Sequence, residues 1–315
     1  MQPARVLDRH APGVLDAAEV ENGLSFAERE DEVALRPART RATAREEVVN
    51  PAGATAAICT ADDDPVLFGR VLDAAAAQAP TVVVDMSRGD AIRAAAKERG
   101  DAVRYEAYPH SSGLSDSRNR ALAIADTRYI LFVDADAIPE SGWHQALQRH
   151  IAGSERAALV GARIGPEWPG HAPFLFDTAP AQDFLGMLEL GDEPQEIPRV
   201  VGTSFALDRE RMPSAAPFPT ELGRRPGSLQ GGEEVALSLA VRAAGWTVRY
   251  EPRAVVRHHV RPGRASWSWM LRRVRQAGRE ARTAAALEPL PRALDARDRA
   301  FQALVAPAYL LRALG

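Results

Sequence analysis

Four short apolar runs alternate with helix-length segments along the first half of the chain: ATAAICT (54–60), TVVVD (81–85), AVRYEAY (102–108) and YILFVD (129–134). Runs this short and this apolar suit strands buried on both faces, as in a parallel sheet, where each crossover takes a dozen residues or more and usually contains a helix. PVLFGRVLDAAAAQA, AIRAAAKERG and SDSRNRALAIA (115–125) supply those helices. The first is expected to turn Val66, Val71, Leu72 and Ala75 inward, and the third to begin on a Ser or Asp cap. Strands and helices alternating at this pace predict βαβ units and a doubly wound α/β sheet.

The second half is less regular. ALVGARI (158–164) reads as a strand, 173–198 as a short helix between loops, and VVGTSFALDRERM (200–212) as a strand turning into a short helix. Gly231-Gly232 lead into the helix EEVALSLAVRAAG, closed by Gly245. WTVRYEP (246–252) and AVVRHHV (254–260) read as two further strands, and the remainder as helix. Residues 1–50 show no clear period and are expected to form an extension ending before Asn50-Pro51. The expected division is therefore an extension over 1–50, an α/β domain over 51–262 and a helical segment over 263–315.

Composition excludes several classes. With 46% hydrophobic residues and a net charge of -3, whole-chain disorder is ruled out. The single cysteine, Cys59, excludes an intrachain disulfide and a thiolate zinc cluster, which favours a reducing compartment. No window approaches the roughly 18 apolar residues of a membrane span, and MQPARVLDRHAPG lacks the apolar centre of a signal peptide. The expectation is a cytoplasmic protein, with attachment to the inner face of the membrane as the one membrane association to consider. Of 39 basic residues, all but Lys97 are arginine, and 253–315 hold thirteen of them against Glu280, Glu288, Asp295 and Asp298. Such a tail suits an anionic partner or, equally, a solvated arginine-rich helix. RAFQALVAPAYLLRALG (299–315), amphipathic and interrupted by Pro307, suits a membrane surface or a homodimer contact. Nucleic acid is not expected, because the arginines share a segment with no recognised nucleic-acid fold.

Three segments carry candidate chemistry. YILFVDADAIPESGW runs an apolar strand straight into Asp134-Ala135-Asp136, placing two carboxylates at the strand end where open α/β sheets bind ligands. Carboxylates at this spacing can converge on a hard cation, although an Asp ending a strand is as often a turn former. GGEEVALSLAVRAAG puts Glu233 and Glu234 in the first turn of a helix, where the dipole favours ionised carboxylates and a general base is available. AVVRHHV ends a strand on His258 and His259; adjacent strand residues face opposite sides, so at most one points into a site beside the sheet.

Taken in order, ICTADDD, VVVDMSRGD, GLSDSRNRALAIADTRYILFVDADAIPESGW, VVGTSFALDRERM, GGEEVALSLAVRAAGWTVRYEP and AVVRHHV resemble an inverting family-2 glycosyltransferase of the GT-A fold. The resemblance runs from about residue 54 to residue 280. It implies a Rossmann-like open mixed sheet flanked by helices, with the N-terminal extension and C-terminal helical segment added. It further implies a metal-dependent transfer of a sugar from a nucleoside-diphosphate sugar to an acceptor hydroxyl, the acceptor being a glycan, a lipid-linked compound or a small molecule. By the same resemblance Asp85 hydrogen-bonds the base with Thr60 and Asp62 near it, Arg118 lies close to the nucleotide, and Asp134 faces the ribose. Asp136 and His258 hold manganese or magnesium. Glu234 inherits the base, although the family's pair is usually Glu-Asp, which leaves Glu233 and Glu234 both open. The first strand ends Cys59-Thr60 where the family has Pro-Thr, so Cys59 is expected to be a packed core thiol. The resemblance also allows Trp267 or Trp269 to stack on a sugar, or their helix simply to pack on the domain.

Three rivals are weaker. A haloacid-dehalogenase-type phosphatase needs a lysine after the acidic strand, and none follows Lys97. A nucleotidyltransferase needs a Gly-rich basic loop after the first strand, where CTADDDPVLFG is acidic. A catalytically inactive nucleotide-sugar-binding or scaffolding relative remains the principal alternative.

Overall fold

Strands β1 (Asn50–Thr60), β2 (Thr81–Asp85), β3 (Val103–Ala107) and β4 (Thr127–Val133) form where the apolar runs stand. All pair in parallel, in the order β3-β2-β1-β4. Helices α1 (Pro65–Ala76), α2 (Ala91–Lys97) and α3 (Leu114–Ile124) connect them. The computed structural model describes residues 50–225, 228–284 and 289–313, all within the unit Glu47–Gly315. The expected extension over 1–50, apart from Asn50, and the ends of both C-terminal helical segments lie outside the described residues.

Beyond β4 the sheet becomes mixed. It continues through β8 (Ser204–Asp208), β6 (Ala157–Glu167), β9 (Thr247–His259) and β5 (Ala137–Pro139), with β7 (Gln195–Glu196) also paired to β9. β8 runs antiparallel to both β4 and β6, whereas β6 and β9 are parallel. Helices α4 (Trp143–Gly153), α5 (Ala179–Phe184), α6 (Glu233–Ala243), α7 (Trp267–Ala284) and α8 (Ala296–Ala313) complete the chain. This is the expected open mixed α/β sheet flanked by helices.

Local chemistry explains most of these boundaries. Asp64 caps α1 by accepting from Val66 N (2.8 Å) and Leu67 N (3.0 Å), with Pro65 at the first helical position. The inward face of α1 is Phe68, Val71, Leu72 and Ala75. Val66 was expected there but is 75% exposed, because it precedes Phe68 by two residues and so projects from the opposite side of the helix.

α3 starts on Gly113, not on a side-chain cap. Gly113 adopts φ 144°, and a Cβ there would stand 2.8 Å from the Arg224 carbonyl oxygen, which accepts from Leu114 N (2.9 Å). A backbone from another segment thus takes the place of the expected Ser or Asp cap.

The two strands expected over 246–260 are one, β9. Its register against β6 jumps from Ala162↔Glu251 to Arg163↔Val255, so Pro252, Arg253 and Ala254 bulge out and the strand resumes. Proline removes a ladder donor, which reads in sequence as a strand end but in the fold as a bulge.

α7 packs on the domain through Trp269, Met270 and Val274, all buried. The Trp267 ring lies 5.1 Å from Phe176 and 5.9 Å from Phe301. It is thus a member of an aromatic cluster, which is the packing alternative of the two expected roles. At Gly278 the helix meets α8 so closely that a Cβ would stand 2.5 Å from the Tyr309 carbonyl oxygen.

Candidate active site

The carboxyl ends of the parallel strands open onto one cavity of about 1280 Å³. Its walls include Asp62, Asp63, Arg118, Asp134, Asp136, Glu233 and Glu234. β4 ends at Val133, and the chain turns at once, with Ala137 N donating to Asp134 O (3.1 Å). β5 then pairs Ala137 with His258 on β9, and His259 N donates to Asp136 O (2.8 Å). Sheet register therefore brings Asp136 and His258 together across more than a hundred residues of chain, leaving His258 Nε2 3.3 Å from Asp136 Oδ1.

Two arginines unforeseen in the sequence complete this corner. Arg261 Nε donates to Asp136 Oδ2 (3.1 Å), and the same guanidinium also pairs with Asp63. Arg264 Nη2 stands 3.6 Å from Asp136 Oδ2, and Arg264 Nη1 3.4 Å from His258 Nε2. Burial alone pushes Asp136 up, but His258, Arg264 and Arg261 outweigh it and hold the carboxyl well below the usual range. The available signal was VRPGR, directly after the paired histidines.

Arg118 links the Asp134 turn to the head of α6. It is 2% exposed and donates to Glu233 Oε1 (2.8 Å), Asp134 Oδ1 (3.3 Å) and Gly202 O (2.8 Å). Its guanidinium carbon lies 5.9, 5.7 and 5.8 Å from the ring centres of Phe132, Phe205 and Phe218. Glu233 is buried, and its Oε2 has no hydrogen-bond partner. Burial, reinforced by the adjacent Glu234 charge and opposed by Arg118, pushes Glu233 up to about 7. Gly232, at φ 99°, turns the chain so that both acids open α6 beside the cavity; Glu234 is only partly buried.

Not every expected residue reaches the wall. Thr60, Asp85 and His258 are buried and do not line the cavity, His258 lying behind Asp136. Thr60 Oγ1 donates to Asp63 Oδ2 (2.8 Å), while Asp85 accepts from Tyr105 OH (2.7 Å) and Ser87 N (2.8 Å). Ser87 Oγ in turn accepts from Asp62 N (2.7 Å), which holds Asp62 at φ 51°. Thr60 and Asp85 therefore brace the loop that carries Asp62 and Asp63. Cys59 touches the cavity, but burial pushes its thiol up to about 12, so it is not a thiolate nucleophile.

Among the described residues, no group of three His, Cys, Asp or Glu side chains could hold a metal on protein ligands alone, and no helix is long and apolar enough to cross a membrane.

Residues 69–210 match the family model for glycosyl transferase family 2. The chain is 30% identical over 165 residues, 51% of its length, to the pre-mycofactocin glycosyltransferases of two Mycobacterium tuberculosis strains, and spans only 33% of their length. Among solved structures it is similar to GalNAc-T7 with UDP, GalNAc and Mn2+, at a TM-score of 0.53 and 16% identity over 82% of this chain and 55% of that one. It is also similar to the mannosyltransferase PcManGT of Pyrobaculum calidifontis in complex with GDP-Man and Mn2+, at a TM-score of 0.55 and 20% identity over 82% and 69%. The open mixed sheet is that of the GT-A glycosyltransferases, and residues 69–210, less than half of the chain, are similar to glycosyl transferase family 2.

Proposed function

We propose that the protein transfers a sugar from a nucleoside-diphosphate sugar to an acceptor hydroxyl with inversion at the anomeric carbon. The observation that carries this reading is the shared cavity: the Asp134–Asp136 turn at the sheet edge and the acids opening α6 line the same space. Acids from both elements around one space suit a displacement in which one group receives the acceptor proton and another lies beside the departing diphosphate.

The donor's nucleoside end is assigned to Asp62 and Arg88, which line the cavity beyond β1 and β2. Thr60 and Asp85 hold that loop in shape from below. Asp134, fixed by Arg118, is assigned to the ribose.

The residues fit a divalent cation held jointly with the donor's diphosphate. His258 Nε2 faces a carboxylate oxygen and a guanidinium nitrogen at once, at 3.3 and 3.4 Å. A neutral nitrogen accepts from the arginine but faces the carboxylate lone pairs, whereas a protonated one does the reverse. A cation held by Asp136 and His258 would remove that conflict, and manganese or magnesium would suit an oxygen and imidazole set completed by phosphate oxygens. When bound, the ion would neutralise charge on the departing diphosphate. The manganese complexes of both structural neighbours support this assignment.

Glu234 is assigned the base. It takes the acceptor proton while the acceptor oxygen bonds to the anomeric carbon and the nucleoside diphosphate departs. Such assistance is worth about 10²–10⁴-fold. Glu233 holds Arg118 and is the positioning partner. One observation favours the reverse assignment: Glu233, pushed up to about 7, has a base's working pKa. Exposed Leu304 and Leu310 on α8 support peripheral contact with a membrane or a second copy as a further part of the reading.

Thermal stability against nucleoside diphosphates and nucleotide sugars, with and without manganese, tests the reading. At 100 times its dissociation constant the correct nucleotide adds about 2.7 kcal/mol. A manganese-dependent shift lost in Asp136→Ala is expected. Binding without turnover by any acceptor favours an inactive, sugar-nucleotide-binding protein, and no shift with any nucleotide defeats the proposal.

A further inference from the structure

The cavity is larger than one substrate needs, and its two ends differ in chemistry. Pockets for a single drug-sized ligand span about 300–1,000 Å³, whereas this one reaches about 1280 Å³. Past Glu233 and Glu234 its wall passes to Val274, Ala277, Phe301, Val305, Ala306 and Tyr309, all from α7 and α8. Most of this end is apolar, although Arg199, Arg273 and Gln302 also line it. Asp183 on α5 lines it too, and its Oδ2 pairs with Arg292 while its buried Oδ1 has no hydrogen-bond partner. No tryptophan lines the cavity, since Trp267 is taken up against Phe176 and Phe301. An apolar body carrying a few hydroxyls matches a wall of this mixed kind.

We propose that the α7–α8 end of the cavity is the acceptor site and that it takes a soluble hydroxyl compound with an apolar body, one hydroxyl donating to Asp183 and another presented to the acids of α6. The proposal rests on the transferase reading for what the site does, but not for what it binds. Continuity with the Asp134–Asp136 corner argues for the second substrate of one reaction. Walls from three helices, α5, α7 and α8, argue for a molecule of limited length.

Binding of n-alkyl β-D-glucosides from methyl to hexyl, measured by calorimetry below micellar concentrations with manganese and a nucleoside diphosphate present, tests it. Each methylene buried tightens binding by about fourfold, so affinity climbs along the series until the chamber is full. Ala306→Trp, which fills the chamber, and Leu310→Arg, which charges its rim at a residue 54% exposed, both flatten the series and leave the nucleotide-induced thermal shift unchanged. The Leu310 variant tests the same point if the Ala306 variant does not fold. A flat series in the unmodified protein, or an unchanged slope in both variants, overturns the proposal. Sedimentation with phosphatidylglycerol vesicles alongside a flat series also overturns it, in favour of a membrane-facing surface. A climbing series with no response to any nucleotide keeps the apolar site and removes the transferase reading.

Discussion

Two buried glutamates show how differently one fold can treat the same side chain. Glu251 on β9 is fully buried, and both oxygens are engaged: Oε2 with His150 Nδ1 (2.9 Å) and Arg253 Nη2 (2.9 Å), Oε1 with Arg253 N (3.0 Å) and Nε (2.9 Å). Burial pushes Glu251 up, but the Arg253 and His150 hydrogen bonds prevail and hold it down at about 2. Glu233 at the head of α6 has only Arg118, keeps one orphaned oxygen and is pushed up to about 7. A satisfied carboxylate is a piece of framework. A half-satisfied one beside a cavity retains capacity for a substrate, and that cost to stability is expected where chemistry is done.

The largest effect that would sharpen this contrast is on Arg118. Arg118→Met strands Glu233 and the partner oxygen of Asp134, and should cost about 3–5 kcal/mol in urea unfolding. Arg253→Ala at the framework site leaves His150 in place and removes an arginine whose side chain is 75% exposed. It should cost about 1 kcal/mol or less. Comparable losses would end the distinction.

Next come the opposite pH slopes. Glu251 has a depressed pKa, so its contribution is present above the unfolded value near 4.5 and fades as pH falls toward 2. Glu251→Gln should therefore cost about 1–3 kcal/mol at neutral pH, and progressively less in acid. Glu233 has a raised pKa, so its contribution is complete below 4.5 and is lost as pH rises through 7. Melting curves of Glu233→Gln should lack that decline, a difference on the order of 1–3 kcal/mol across the window. Parallel slopes for the two variants would contradict the contrast.

The smallest effect lies on α1. Val66→Ser should change stability by less than about 0.5 kcal/mol, whereas Val71→Ala on the same helix should cost about 1–3 kcal/mol. Equal costs would show that Val66 is covered in solution.

What was legible in the sequence was whatever local pattern decides. YILFVD could only be a buried strand, and the acids after it could only fall at the sheet edge. The Glu233-Glu234 pair was readable from the two glycines and the helix period. Contacts between distant segments were not readable. Leu114 N is capped by the Arg224 carbonyl, Pro252 sits in a bulge that only pairing with β6 reveals, and Arg261 and Arg264 close on Asp136 because β9 delivers them there. Thr60 and Asp85 stood in recognisable motifs, yet their place beneath the loop depended on Asp63, Ser87 and Tyr105.

The bulge at Pro252–Ala254 divides β9 mechanically. Upstream, Glu251 is locked to α4 through His150, and downstream, Ala137↔His258 pairing sets where the imidazole faces Asp136. In an unbroken strand, one residue gained or lost would turn every later side chain to the other face. With slack already stored between the two stretches, the bulge serves as an expansion joint. Length changes there can be absorbed while the imidazole stays aligned with Asp136.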